Sequence, residues 1–166
     1  MFELKKNEEV NRLISITKSD SGISGPELAK AQICLGEFVA NHIDLPPEDT
    51  TVVAMLRGGI FFAEGIYFGL GCHFHVYDPK KEKFVRPDTK HIILVDSVIN
   101  TGKTMDDIIT PDMFVACCVI NEKAVHKYLD RLYTVRVSRN SFVGGPVSRQ
   151  QGSVGPDTTM RLFNLI

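Results

Sequence analysis

The residues Asp96-Ser97-Val98-Ile99-Asn100-Thr101-Gly102-Lys103-Thr104 hold the densest chemistry in the chain, and they follow directly on four aliphatics, Ile92 to Val95. Asp96 offers a carboxylate to sugar hydroxyls or a metal. Gly102 lets the backbone turn tightly and approach an anion, while Thr101 and Thr104 supply hydroxyls. Amides entering a following helix direct positive charge at a phosphate. The run Asn100, Thr101, Gly102, Lys103 and Thr104 is therefore expected to cradle a phosphate, with Asp96 and Ser97 beside it. Four consecutive aliphatics suit an interior parallel strand, and Asp96 is expected at its carboxyl end, where open α/β sheets place ligands.

A Gly-Lys-Thr triplet also belongs to the nucleotide triphosphatase loop, which requires a glycine at the position held here by Ser97. That reading fails at its first glycine. The block from Ile92 to Thr104 instead resembles the phosphoribosyl-diphosphate (PRPP) signature of type I phosphoribosyltransferases. The signature usually carries two adjacent acids. Here the second is Ser97, and the uracil branch of the family also has a single acid there.

Two further segments extend the resemblance. Val53-Ala54-Met55-Leu56-Arg57-Gly58-Gly59-Ile60 looks like the family's pyrophosphate loop, where the amides of Gly58 and Gly59 and the guanidinium of Arg57 would face a diphosphate. Taken alone, the same residues describe a tight turn with a solvated arginine. At the carboxyl terminus, Gly155-Pro156-Asp157 and Arg161-Leu162-Phe163 are similar to the closing stretch of uracil phosphoribosyltransferases, with Asp157 on its first acid; Tyr133-Thr134 resembles the strand before that family's base-binding region. The resemblance implies a base held by main-chain groups near Gly155 and Asp157, although Pro156 replaces a glycine and offers no N–H.

The scaffold around these groups reads as alternating strands and helices. Gly25-Pro26-Glu27 starts a helix whose apolar face is Leu28, Leu35, Phe38 and Val39, ending near Ile43. A strand is expected at Thr51 to Leu56, a helix at Ile60 to Phe68 and a strand at Cys72 to Tyr77. The polar, basic segment 78–90 reads as a projecting arm, with Lys80, Lys81, Lys83 and Arg86 available to close over a leaving group. A short helix at Met105 to Ile109, a strand at Met113 to Ile120, a helix at Glu122 to Leu129 and a strand at Tyr133 to Val137 follow. This alternation predicts an α/β fold: a single domain over 1–166, with a doubly wound, mostly parallel sheet covered by helices on both faces, and a base-binding segment at 138–166.

Composition is consistent with one compact domain: 166 residues, 43% hydrophobic, with 19 basic and 20 acidic residues giving a formal charge of −1. Such a balance gives no whole-chain footprint for nucleic acid. The charged stretch Met1 to Val10 argues against a secretory signal, and no segment is long and apolar enough to span a bilayer. Cys34, Cys72, Cys117 and Cys118 lack metal or redox spacing and read as reduced thiols of a cytoplasmic protein. His73 and His75 alternate on one strand face, too few for a metal site.

Together the resemblance implies transfer of ribose 5-phosphate from Mg²⁺-bound PRPP to a nucleobase, uracil first, with Asp96 and Arg57 catalytic and a homodimer or larger homo-oligomer as the assembly. A purine transferase (hypoxanthine, guanine or xanthine) and a non-catalytic nucleotide-sensing module of the same fold are the alternatives.

Overall fold

The computed structural model describes residues 1–166. The chain runs β1 (Phe2–Glu3), α1 (Glu8–Thr17), α2 (Gly25–Ala40), β2 (Thr50–Met55), α3 (Ile60–Leu70), β3 (His73–Tyr77), β4 (His91–Ile99), α4 (Lys103–Asp106), β5 (Phe114–Asn121), β6 (Leu132–Ser138), β7 (Val143–Gly145), β8 (Val154–Pro156) and α5 (Thr158–Leu162). Six strands form one sheet in the order β1-β6-β5-β4-β2-β3, and every pairing is parallel. The α/β class and the parallel sheet are thus as the alternation predicts. β2, β4 and β5 are buried almost throughout, which is why each carries a continuous apolar stretch.

One face is covered by α1, α2 and α3, whose Leu35, Val39, Phe62 and Ile66 pack on Val52, Ala54, Ile93 and Val95. α2 and α3 meet backbone to backbone. A Cβ on Gly36 would strike the Phe62 carbonyl, and one on Gly65 the Ile33 carbonyl, so glycine at both positions fixes this contact.

The other face departs from expectation. Its cover is the single turn of α4 and two 3₁₀ segments, Glu122–Lys127 and Leu129–Arg131, in place of the helix expected at Glu122 to Leu129. The connection is short for its task. Ten residues of α-helix rise roughly 15 Å, whereas an eight-residue strand must be retraced over roughly 26 Å, and the 3₁₀ form gains about 0.5 Å per residue. Met105, Ala124 and Tyr128 nonetheless close a second core over Leu94, Val115 and Leu132.

Two more differences concern the amino terminus and the arm. α1 lies outside the expected elements, yet Asn7 caps it through Val10 N–H, and Val10, Leu13, Ile14 and Thr17 bury one face. The segment 78–90 is a largely exposed loop and forms no hairpin. Phe84 stacks edge-on against Tyr77 with ring centroids 5.2 Å apart, Thr89 meets Thr51 at 2.7 Å, and Arg86 pairs with Asp112 at 2.6 Å. Half-buried Phe84 ties the arm to β3, and Arg86 is engaged by Asp112.

Candidate functional site

β2 pairs with β4 only as far as Ala54, level with Val95, and ends at the next residue, while β4 and β5 continue together to Ile99 and Ile120. Asp96 therefore lies within β4, paired with Cys117, and not at its end as expected. It still stands just past the last pair between β2 and β4, so the shorter neighbour opens the space above it. That space is a cleft of about 1130 Å³ at the carboxyl ends of the strands, the place where parallel sheets bind ligands.

Asp96 sits in its floor. Its Oδ1 accepts the Ser97 N–H at 2.7 Å. Burial pushes its carboxyl up to about 7; the amides of Ser97 and Val98 oppose that rise, and the charge of Asp157 across the cleft adds to it. Ser97 points the other way, buried, its hydroxyl bonded to the Gly58 carbonyl and, at 2.7 Å, to Gln32 of α2. It holds the two loops together and has little left for a ligand.

The loop after β2 supplies the adjacent wall. Arg57 is exposed along the cleft and stacks its guanidinium 5.3 Å from the Phe163 ring centroid, a contact that aims a flexible cation. The Leu56–Arg57 peptide is cis. Gly58 borders the cleft next to Asp96. The Gly59 N–H, expected to face a diphosphate, is bonded to the Met55 carbonyl at 2.9 Å, and a Cβ there would enter the Val95 carbonyl. Gly59 therefore seats the loop against β4.

The loop from Asn100 to Thr104 divides between two spaces. Asn100 and Thr104 line the cleft, whereas Thr101 lines an adjoining pocket of about 470 Å³ with Asn121, Lys123 and Phe142; Lys103 lines neither. Gly102 takes a φ of 75°, and a Cβ there would strike the Tyr128 hydroxyl, so only glycine fits this turn. Both Met105 and Asp106 return their N–H groups to the Gly102 carbonyl. Lys80 and Lys81 border the cleft opposite, Lys81 pairing with Asp78 at 3.5 Å and the Lys80 N–H bonded to Asp78.

The carboxyl-terminal wall is more heavily committed than the sequence suggests. β7 and β8 pair, and Asp157 both caps α5 through Met160 N–H at 2.8 Å and donates its own N–H to the Gly145 carbonyl at 3.1 Å. Gly155 is buried against the Phe142 ring and does not line the cleft. Pro156 and the Asp157 side chain do line it. Arg136 also reaches the cleft from β6, a residue absent from the sequence-derived candidates; a lone charge in an otherwise uncharged strand is the signal that could have found it.

No three His, Cys, Asp or Glu residues gather as a metal cage. Mg²⁺ needs no such cage when substrate phosphates and water supply most ligands.

No protein-family model and no curated protein matches this sequence. Among solved structures, the AQ2163 protein of Aquifex aeolicus shares the fold with a TM-score of 0.64 at 13% identity, covering 86% of this chain and 91% of that one. The TT1426 protein of Thermus thermophilus follows at 0.52 and 15% identity, over 70% of this chain and 92% of that one. A purine phosphoribosyltransferase of Pyrococcus horikoshii aligns at 0.48 and 21% identity, over 64% and 83%. The two stronger likenesses establish a shared α/β fold and no activity.

Proposed function

We propose that the chain transfers ribose 5-phosphate from PRPP to a nucleobase, releasing pyrophosphate. The observation that carries this reading is one cleft that unites the Asp96 floor, the Arg57-Gly58 loop and Thr104. As the bond to pyrophosphate stretches, positive charge grows on the ribose and negative charge on the leaving group, so the task is positioning and electrostatic support. Asp96 orients the ribose hydroxyls. Arg57, Lys80 and Lys81 face the leaving diphosphate, whose charge the Mg²⁺ brought with PRPP helps neutralise. Thr104 and the turn at Gly102 hold the 5′-phosphate.

The base is open on this geometry. Uracil is expected to rest on main-chain groups of Gly155 and Asp157, but one is buried and the other has given its N–H to Gly145. Hypoxanthine, guanine and xanthine therefore stand beside uracil as acceptors. A non-catalytic nucleotide-binding module is the second reading, favoured by Ser97, which turns the usual second acid position inward. Pyrophosphate release from PRPP, assayed with uracil, the three oxopurines and orotate in turn, tests both. Turnover with any one base supports the transferase; nucleotide binding without turnover on any base supports the module.

A further inference from the structure

The carboxyl ends of β5 and β6 line a lobe of the cleft for which phosphoribosyl transfer, as just described, has no use. Cys118, Val119, Arg136 and Ser138 line the cleft there, together with Thr17 and Lys18 at the end of α1. In the sheet, Arg136 is level with Val119 and, through it, with Val98, two residues past Asp96. Two strand spacings put this position roughly 10 Å to the side of the Asp96 strand, within reach of an acceptor seated beside the ribose.

Arg136 is half-buried, and its Nε is enclosed with no hydrogen-bond partner, alone among the side-chain atoms of the molecule. It joins none of the ion pairs. A guanidinium keeps its charge at any working pH and offers five donors in a planar fork, so leaving it enclosed and unpaired is costly. Elsewhere the same chain satisfies a buried arginine fully: Arg161 donates to the carbonyls of Ile16, Thr17 and Ile23 and to the Ser21 hydroxyl. No carboxylate of the fold is brought to Arg136. Asp20, the acid bordering this lobe, lies where its charge acts on Arg161, and burial keeps the Cys118 thiol protonated beside Arg136.

We propose that Arg136 receives a planar oxyanion, a carboxylate carried by the ring of the acceptor, and thereby selects the acceptor. The assignment to an acceptor rests on the phosphoribosyl-transfer reading. Arg136 donates through its two Nη groups, which unlike Nε are not sealed by the fold, one to each carboxylate oxygen, a geometry that a neutral carboxamide cannot match; a phosphate accepts such a pair too, and the phosphate arms of the test separate the two.

Calorimetric titration of the intact protein with pyrimidine-4-carboxylate, its carboxamide, inorganic phosphate and ribose 5-phosphate tests the proposal. The carboxylate should bind about tenfold or more tighter than the carboxamide, and Arg136→Gln should reduce that ratio to about twofold while ribose 5-phosphate affinity is retained. Equal affinities of carboxylate and carboxamide for the wild type overturn the proposal, as does a ratio that survives Arg136→Gln. Loss of ribose 5-phosphate or inorganic phosphate binding in Arg136→Gln assigns Arg136 to the donor and also overturns it. Arg136→Lys keeps the charge and loses the fork, so it decides the matter should the glutamine variant fail to fold: an undiminished ratio there excludes forked recognition. Failure of ribose 5-phosphate to bind the wild type, with the carboxylate preference intact, instead sinks the transferase reading and leaves the oxyanion subsite standing.

Discussion

On the wall of the cleft built by the loops after β2 and β4, the polar groups are left facing the cavity: Arg57 stacks on the Phe163 ring and joins no ion pair, and Thr104 lines the cleft. On the wall built by β7, β8 and α5, residues of the same kinds are consumed by the fold. Asp157 caps a helix and closes a strand pair, and Arg161 is buried at 4% exposure among four backbone and hydroxyl partners. An Asp and an Arg stand on each side, yet on the second side both already serve the fold. Residue type announces what chemistry is possible, whereas burial and prior hydrogen bonds decide whether the group is still available for it.

Removing Arg161 attacks that contrast most strongly. Arg161→Met strips the carbonyls of Ile16, Thr17 and Ile23 of their donor, and loss of a buried, fully bonded charge should cost about 3–5 kcal/mol of stability in urea denaturation. Affinity of the folded fraction for ribose 5-phosphate should hold. A loss below about 1 kcal/mol with impaired ligand binding would move Arg161 from scaffold to site.

Asp96 lies on the opposite side of the comparison. Asp96→Asn should cut turnover about a hundredfold while nucleotide product affinity changes little, because orienting the ribose matters most in the transition state. Its titration gives a second readout. The unfolded chain ionises this carboxyl near 3.8, and the fold holds its proton up to about 7. Over that window the folded state binds the extra proton, so the contribution is fully present below 3.8 and is lost as pH rises through about 7. Asp96→Asn should therefore flatten the fall in melting temperature across this range. A wild-type slope that persists in the variant would place the titration elsewhere.

Within the phosphate loop the comparison narrows to two threonines. Thr104→Val should weaken nucleoside monophosphate binding about tenfold, the worth of one charged hydrogen bond, and Thr101→Val no more than about twofold. Equal losses at the two positions would mean that the loop closes to bring Thr101 into the cleft on binding.

Much of this is legible in the chain because the strongest signals are local. The run Ile92 to Val95 had to be a buried strand, Pro26 had to open a helix, and Gly102 had to be a turn. What escapes depends on partners distant in sequence. The length of β4 is hidden because Ser97, Val98 and Ile99 are held in the sheet by β5 and not by their own pattern. Ser97 has the chemistry of a ligand group, but Gln32 is brought against it from α2. The amides of Gly59 and Asp157 look available in the sequence, yet Met55 and Gly145 accept them. α1 is a different case, since Val10, Leu13, Ile14 and Thr17 carry a helical spacing that is readable without any distant partner.

The smallest expected effect belongs to Pro156, on the committed wall. In β8 it is level with Gly145, and it is Asp157 that donates to the Gly145 carbonyl, so the nitrogen of residue 156 points away from β7 and Pro156 costs the ladder no bond. Pro156→Gly should lower stability by about 0.4–1 kcal/mol, through greater freedom of the unfolded chain alone. It also restores one N–H on a residue that lines the cleft. With the Asp157 amide already committed, a single neutral hydrogen bond is the whole gain, and uracil use should improve between about twofold and tenfold. Comparing kcat/KM for uracil with kcat/KM for hypoxanthine in the variant isolates this effect from any change in PRPP handling. An improvement confined to uracil would show that position 156 addresses the base and that the carboxyl-terminal wall keeps one functional atom. A loss of stability of the expected size with unchanged use of both bases would leave that wall wholly structural, and would shift the choice of acceptor to the strand ends of β5 and β6.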